Sequence, residues 1–139
     1  MSKGKLIFEF FDQFTNFSSP HIVFSISKSI TSLLFGILSK EIKLDLNTKI
    51  SKIIPETIGS AYEDATIRNL LDMNVSSSFI EDYSGKAEIF KKYRSCTGWD
   101  LIDASITDIP NGMYDFLSNL PSSESSHGTK YHYSSPNSD

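Results

Sequence analysis

A serine and a lysine three residues apart could supply a nucleophile and its base. Ser25-Ile26-Ser27-Lys28 has the pattern S-x-x-K, and this spacing on a helix puts the first and last side chains on one face. A serine hydroxyl is a weak nucleophile until a base removes its proton, and a desolvated lysine can act as that base. The pattern also arises by chance, and a serine at a helix start is often only a cap, so both interpretations stay open.

The pattern lies at the start of the most regular apolar periodicity in the chain. Apolar residues recur at intervals of three and four positions: Ile26, Ile30, Leu33, Leu34, Ile37 and Leu38. This periodicity predicts a helix from about residue 25 to residue 40. Ser25 would then lie at the positive end of the helix dipole, which favours a developing alkoxide.

The rest of the chain predicts one strand and several short helices. Residues 6–11 are rich in β-favouring types and predict a strand. Thr66 can cap a helix, and the apolar spacing predicts two more over 88–93 and 113–120. We expect an extended segment and a short helix in 41–55, a polar loop over 121–130, and an ordered element at 131–139.

Composition excludes several classes of function. The chain has 139 residues with 39% hydrophobic residues, which fits one globular domain. Because 17 acidic residues outnumber 13 basic ones and no basic cluster occurs, we expect no nucleic-acid partner. The longest apolar run, 30–38, is too short for a membrane span. The single cysteine, Cys96, excludes an internal disulfide, and its setting predicts a buried or half-buried thiol.

Other candidate sites are weak. The three histidines, His21, His127 and His132, have no metal-ligand spacing, so we expect no metal site. The acidic pair Glu81 and Asp82 is predicted to be a solvated face or a cap. Trp99 is predicted to pack or to form a pocket wall, because no basic groove accompanies it.

Five blocks of the sequence together resemble a known family. They are F-S-I-S-K-S-I-T-S-L-L-F-G-I-L (24–38), L-D-L-N-T-K-I-S-K-I-I-P (44–55), S-A-Y-E-D-A-T-I-R-N-L-L-D-M (60–73), Y-R-S-C-T-G-W-D (93–100) and H-G-T-K-Y-H-Y-S-S-P-N-S-D (127–139). In order and spacing they resemble the serine β-lactamase-related (penicillin-recognising) superfamily, in its branch of esterases and 6-aminohexanoate-dimer hydrolases. The resemblance implies an α+β fold of the β-lactamase/transpeptidase type.

The resemblance also implies a role for each motif residue. Ser25 would be the acylated nucleophile and Lys28 its general base. Tyr133 opens Tyr133-Ser134-Ser135, which looks like the second motif of the family, and would relay a proton to the leaving group. Ser135, the third residue of that motif, would help to position the network.

Two assignments have alternatives. Tyr131 lies two residues before Tyr133, so the register of the second motif is open between them. Tyr83 matches a tyrosine that contacts the amide substrate in the aminohexanoate hydrolases, but it could equally serve only to pack its ring.

The third motif of the family, K-T-G, K-S-G or H-x-G on a strand, has no match in this chain. We therefore expect residues 1–139 to be a partial domain that holds an N-terminal strand, the nucleophile helix and the helical region, without most of the sheet. Such a chain would expose apolar surface and would be marginally stable or prone to aggregation.

The sequence therefore predicts a serine hydrolase that acts on an amide or ester of a small molecule through an acyl-enzyme, without a cofactor. The alternative is a catalytically incomplete fragment or non-enzymatic remnant of the family. Oligomeric state is not readable from the sequence. Localisation is open, and the cytoplasm is the default if Met1 is the true start.

Overall fold

A computed structural model describes residues 1–101 and 105–139. Within these residues the chain forms five α-helices and two short 3-10 turns. The helices are α1 (Ile26–Ile42), α2 (Ile50–Ile53), α3 (Ile67–Leu71), α4 (Glu88–Cys96) and α5 (Met113–Ser118), and the turns are Pro55–Thr57 and Ser135–Asn137. None of the described helices is both long enough and apolar enough to cross a membrane.

Helix α1 confirms the predicted long helix and extends two residues beyond it. It ends where Lys43 adopts a left-handed conformation with φ 50°, and the N–H of Lys43 donates to the carbonyl of Ser39. No residue of α1 is fully buried. Its apolar face is largely exposed, with Leu33 at 70% exposure, and only Phe35 packs against the core.

The strand predicted over residues 6–11 is not formed, and this prediction was wrong. The apolar side chains of the segment are exposed. A strand needs a neighbouring backbone to pair its N–H and C=O groups. The only bridges among the described residues are isolated and join other positions: Ser2 with Lys5, Lys49 with Thr66, and Ser77 with Ser122.

The short helices confirm the local signals in the sequence. Thr66 and Asn69 form a reciprocal capping box at the start of α3, in which each side chain accepts a backbone N–H of the other residue. Helix α4 runs beyond the predicted 88–93, and α5 ends before Leu120. The segment 41–55 contains α2 as expected.

The core is built around aromatic rings from α4, α5 and the segment before α4. Phe79 is completely buried and meets Phe90, Tyr93 and Phe116 edge to face, with ring centroids 6.0, 5.3 and 6.0 Å away. Such edge-to-face contacts stabilise the fold beyond simple burial of area. Phe35 of α1 packs against this core.

Two buried phenols fasten the end of the chain to this core. The Tyr62 hydroxyl donates to Oδ1 of Asn137 over 3.0 Å, and the Tyr93 hydroxyl donates to Oδ2 of Asp139 over 2.6 Å. Burial is the largest cause that raises the pKa of both phenols, and the negative charge of Asp139 raises it further. Both hydroxyls therefore stay protonated and keep their role as donors.

The aromatic core leads to a stability prediction with a matched control. Replacing Phe79 by Ala should lower the free energy of unfolding by about 3 to 5 kcal/mol, because it leaves a cavity among three rings. Phe8 is 78% exposed, so Phe8→Ala should change this free energy by less than about 0.5 kcal/mol. Urea unfolding followed by circular dichroism measures both, and equal effects would contradict the described core.

Candidate active site

Ser25 occupies the N-cap position of α1, but its side chain does not cap the helix. The hydroxyl instead accepts a hydrogen bond from the phenol of Tyr133, with 2.7 Å between the two oxygens. The two residues are 108 positions apart in the chain. The helix-cap interpretation therefore does not account for the Ser25 hydroxyl, which faces a group from the other end of the chain.

The residue before Ser25 has an unusual backbone. Phe24 has φ 42°, in the left-handed region that a non-glycine residue enters only at a cost of about 1 to 3 kcal/mol. The next turn fixes it, because the Ser27 hydroxyl and N–H both donate to the carbonyl of Phe24. This turn presents Ser25 at the mouth of a cavity.

Lys28 lies one turn along α1 and reaches the same segment as Ser25. Its Nζ donates to Oγ of Ser135 over 3.1 Å and lies 5.5 Å from the centre of the Tyr133 ring. Among the described residues, the Ser25 hydroxyl hydrogen-bonds to Tyr133 and not to Lys28. The Tyr133 side chain thus meets Ser25 through its hydroxyl and Lys28 through the face of its ring.

Tyr133, rather than Tyr131, is the tyrosine that the fold brings to Ser25. Tyr133 is 36% exposed and contacts the serine, whereas the side chain of Tyr131 is 66% exposed. The neighbouring Ser134 and Ser135 are buried. This buried turn fixes the position of the residues just before it, so Tyr133 is held beside Ser25.

Glu81 joins the site without having been predicted. Its Oε2 accepts the backbone N–H of Ser135 over 2.9 Å, and its Oε1 accepts the hydroxyl of Tyr83. The sequence had predicted a solvated face or cap for Glu81 and its neighbour. That holds only for Asp82. Hydrogen bonds to its carboxylate, first from the Ser84 hydroxyl and then from the N–H groups of Ser84 and Ala87, lower the pKa of Asp82 to about 2.

Tyr83 is 65% exposed, and its ring packs edge to face on Phe90 with centroids 5.1 Å apart. The hydrogen bond to Glu81 is the largest cause that raises the pKa of Tyr83 to about 12, with partial burial second. The phenol therefore remains a neutral donor at physiological pH.

A cavity of about 760 Å³ opens beside Ser25. Four of its ten lining residues are aromatic. Trp99 lies in the wall as predicted, 6.2 Å from the Phe24 ring and beneath the Arg94 guanidinium at 5.1 Å. The lining residues are Ile22, Phe24, Ser25, Ser27, Lys28, Tyr83, Tyr93, Trp99, Ser135 and Asp139. Both Ser25 and Lys28 face this space, so a molecule inside it would meet the serine hydroxyl.

The remaining chemistry-bearing residues lie apart from this site. Cys96 is half-buried, and burial raises the pKa of its thiol. His127 accepts the Ser76 N–H with Nδ1 and pairs through Nε2 with Asp64 at 3.0 Å. In residues 1–101 and 105–139, no group of three or more His, Cys, Asp or Glu side chains is arranged to hold a metal ion.

Comparison with known proteins defines the class of this chain. Residues 16–139 match the family model described as Beta-lactamase. The chain therefore belongs to the beta-lactamase family, and the family resemblance predicted from the sequence is confirmed.

Two individual relatives are aminohexanoate hydrolases by name. The chain is 29% identical over 100 residues to the 6-aminohexanoate-dimer hydrolase of Paenarthrobacter ureafaciens, which covers 72% of this chain and 25% of that protein. A solved structure, the putative 6-aminohexanoate-dimer hydrolase from Bacillus anthracis, matches with a TM-score of 0.78 at 22% identity, over 94% of this chain and 34% of that one. The chain thus spans a quarter and a third of the length of these relatives, and the second match shows the shared fold.

The Tyr83 and Glu81 contact predicts a measurable titration. The difference between wild-type and Tyr83→Phe tyrosinate absorbance should place the pKa of Tyr83 near 12. In Glu81→Gln it should fall toward the ordinary value of 10.0, because deprotonation no longer occurs beside a carboxylate.

A second tyrosine provides the control for this titration. Tyr114 donates to Oε2 of Glu56 over 2.8 Å, so Glu56→Gln removes a similar pair and should leave Tyr83 unchanged. An unaltered Tyr83 midpoint in Glu81→Gln would contradict the contact.

Proposed function

We propose that this chain carries the nucleophile region of a serine hydrolase that cleaves an amide or ester bond of a small molecule through an acyl-enzyme on Ser25. The observation that carries the proposal is the 2.7 Å contact between Ser25 and Tyr133, with Lys28 bound 3.1 Å from Ser135 beside it. Four residues from the two ends of the chain thus meet, and three of them, Ser25, Lys28 and Ser135, line one cavity.

In the proposed acylation step, the Ser25 oxygen attacks the substrate carbonyl carbon. Lys28, in its neutral amine form, accepts the serine proton and becomes an ammonium group. Tyr133, which touches the Ser25 hydroxyl, donates its phenol proton to the leaving amine or alkoxide and regains a proton from Lys28. The bond from carbon to the leaving group breaks and an ester to Ser25 remains. Water then attacks this ester, which releases the acid and restores the serine hydroxyl.

The position of Ser25 favours nucleophilic attack in this mechanism. It lies at the N-terminus of α1, where the helix dipole stabilises negative charge on the serine oxygen. Once Lys28 has accepted the serine proton, its ammonium group adds a positive charge on the same turn. Ser135 would hold that ammonium group in place, and the protein needs no metal or organic cofactor for these steps.

The substrate class rests on the relatives and on the cavity. A relative named as a 6-aminohexanoate-dimer hydrolase favours an amide substrate. The aromatic walls formed by Phe24 and Trp99 offer apolar surface for a short organic chain. Tyr83 lies in the same lining as a neutral donor, which supports its proposed role in contacting the substrate amide.

We also propose that residues 1–139 form part of a larger beta-lactamase-related domain. The chain spans 25% and 34% of the two relatives, and the apolar face of α1 is exposed. A helix face of this kind normally packs against another element.

A fluorophosphonate probe tests the nucleophile directly. The Ser25 oxygen should displace fluoride from phosphorus, and mass spectrometry of the digested protein should find the adduct on Ser25. Ser25→Ala should abolish it. Ser29→Ala, which removes an exposed hydroxyl from the next turn, should leave labelling intact and serves as the control.

The same experiment separates the enzyme from its alternative. A sample that is folded by circular dichroism but carries no adduct would contradict the proposed function. That result would favour a catalytically incomplete fragment or non-enzymatic remnant of the family.

The two tyrosines give a further prediction. Tyr133→Phe should slow labelling of Ser25 by about a hundredfold or more, since it removes the hydroxyl that contacts the nucleophile. Tyr131→Phe should leave the rate within about twofold, because a surface change of this kind is usually neutral. The labelling rate of each variant is the measurement. A larger effect of Tyr131→Phe would make Tyr131, and not Tyr133, the tyrosine of the second motif.

A further inference from the structure

The carboxylate of Glu81 joins two parts of the site that the chain brings from different places. One oxygen accepts the backbone N–H of Ser135, and the other accepts the Tyr83 hydroxyl. An ionised carboxylate only accepts hydrogen bonds, so both contacts use its ordinary chemistry. Bonds of this charge-assisted kind are about twice as strong as neutral ones.

Glu81 is itself held firmly on both sides. Two residues before it, Phe79 is completely buried among aromatic rings. One residue after it, the Asp82 carboxylate accepts the N–H groups of Ser84, Lys86 and Ala87 and closes the loop. The backbone of Glu81 therefore has little freedom, and its carboxylate is a fixed point on the rigid part of the molecule.

Glu81 holds the segment 133–135, which contacts the start of α1. The Ser135 N–H belongs to the same residue whose hydroxyl accepts Lys28 Nζ, and Tyr133 lies only two residues earlier. A shift of Ser135 would move both contacts to α1 at once. The nucleophile end of α1 has few other attachments, since none of its residues is fully buried.

We propose that Glu81 is a positioning residue that sets the place of Ser135 and Tyr83, so that Lys28, Tyr133 and the substrate meet Ser25 in reactive geometry. This inference rests on the proposed function. Glu81 transfers no proton and touches no reacting atom. It acts through the backbone of Ser135 on one side and through the Tyr83 phenol on the other.

The inference predicts a specific order among four variants. Glu81→Ala loses both contacts and should slow the maximal labelling rate of Ser25 by about a hundredfold, because small misplacements of reacting groups cost this much. Glu81→Gln keeps one carbonyl acceptor and should lose about tenfold or less. Tyr83→Phe keeps the Ser135 contact and should lose less than Glu81→Ala. Glu63→Ala, which removes a carboxylate that accepts the Gly59 N–H, should have no effect.

The dependence of labelling on fluorophosphonate concentration tests this order. It separates the maximal rate from the half-saturating concentration, and loss of positioning should appear mainly in the maximal rate. A higher maximal labelling rate in Glu81→Gln than in Glu81→Ala supports the inference. If the variants only destabilised the fold, this rate would not depend on how many hydrogen-bond acceptors residue 81 retains. If Glu81→Ala does not fold, the maximal labelling rates of Glu81→Gln and Glu63→Gln are compared instead. A slower rate in Glu81→Gln alone supports the inference, and equal rates contradict it.

A second measurement does not depend on activity. Hydrogen exchange of the Ser135 amide should be at least about tenfold faster in Glu81→Ala than in wild type, and unchanged in Glu63→Ala, because the amide loses its acceptor. Wild-type protein without label at Ser25 would overturn the proposed function. Wild-type protein that labels, together with an equally reactive Glu81→Ala or an unchanged Ser135 amide, would overturn the role of Glu81 alone.

Discussion

The hydrogen bond between Tyr133 and Ser25 is the contact on which the site depends. Ser25 and Lys28 lie on one turn of α1, so their relation to each other is fixed by local helix geometry. Their relation to Tyr133 is fixed only by how α1 lies against the rest of the molecule. Because α1 buries no residue completely and packs through Phe35, the polar contacts at its first turn carry much of that placement.

Tyr133 can serve as a fixed partner because the segment after it is buried. Ser134, Ser135, Pro136 and Asn137 are all buried, and burial of polar groups costs free energy unless they find hydrogen-bond partners. Tyr62 and Glu81 supply such partners to Asn137 and to the Ser135 backbone. A shift of one residue would leave these groups unpaired, so the buried contacts hold the register that brings Tyr133 to the serine.

The parts of this arrangement that were predictable from the sequence are those with local causes. The periodicity of α1 and the Thr66 cap each depend on residues a few positions apart. The strand expected at 6–11 failed because a strand requires a distant partner that residue types do not reveal. Glu81 was missed for the same reason: its contact to Ser135 joins residues 54 positions apart, and nothing in its neighbours distinguishes it from a solvated glutamate.

The two kinds of constraint have different consequences for chemistry. Ser25 and Lys28 keep their spacing wherever α1 moves, whereas Tyr133 belongs to the segment that ends in the buried turn Ser135–Asn137. Trp99 in the cavity wall packs against Phe90 of the aromatic core. Exposed leucine and isoleucine side chains on α1 contribute to holding the helix only when something covers them, at about 25 cal/mol for each Å² removed from water. Burial of that face and the contact between Ser25 and Tyr133 are therefore thermodynamically linked, since each stabilises the same docked position of α1. The apolar residues whose periodicity predicts α1 must therefore be covered if the helix is to hold Ser25 firmly against Tyr133.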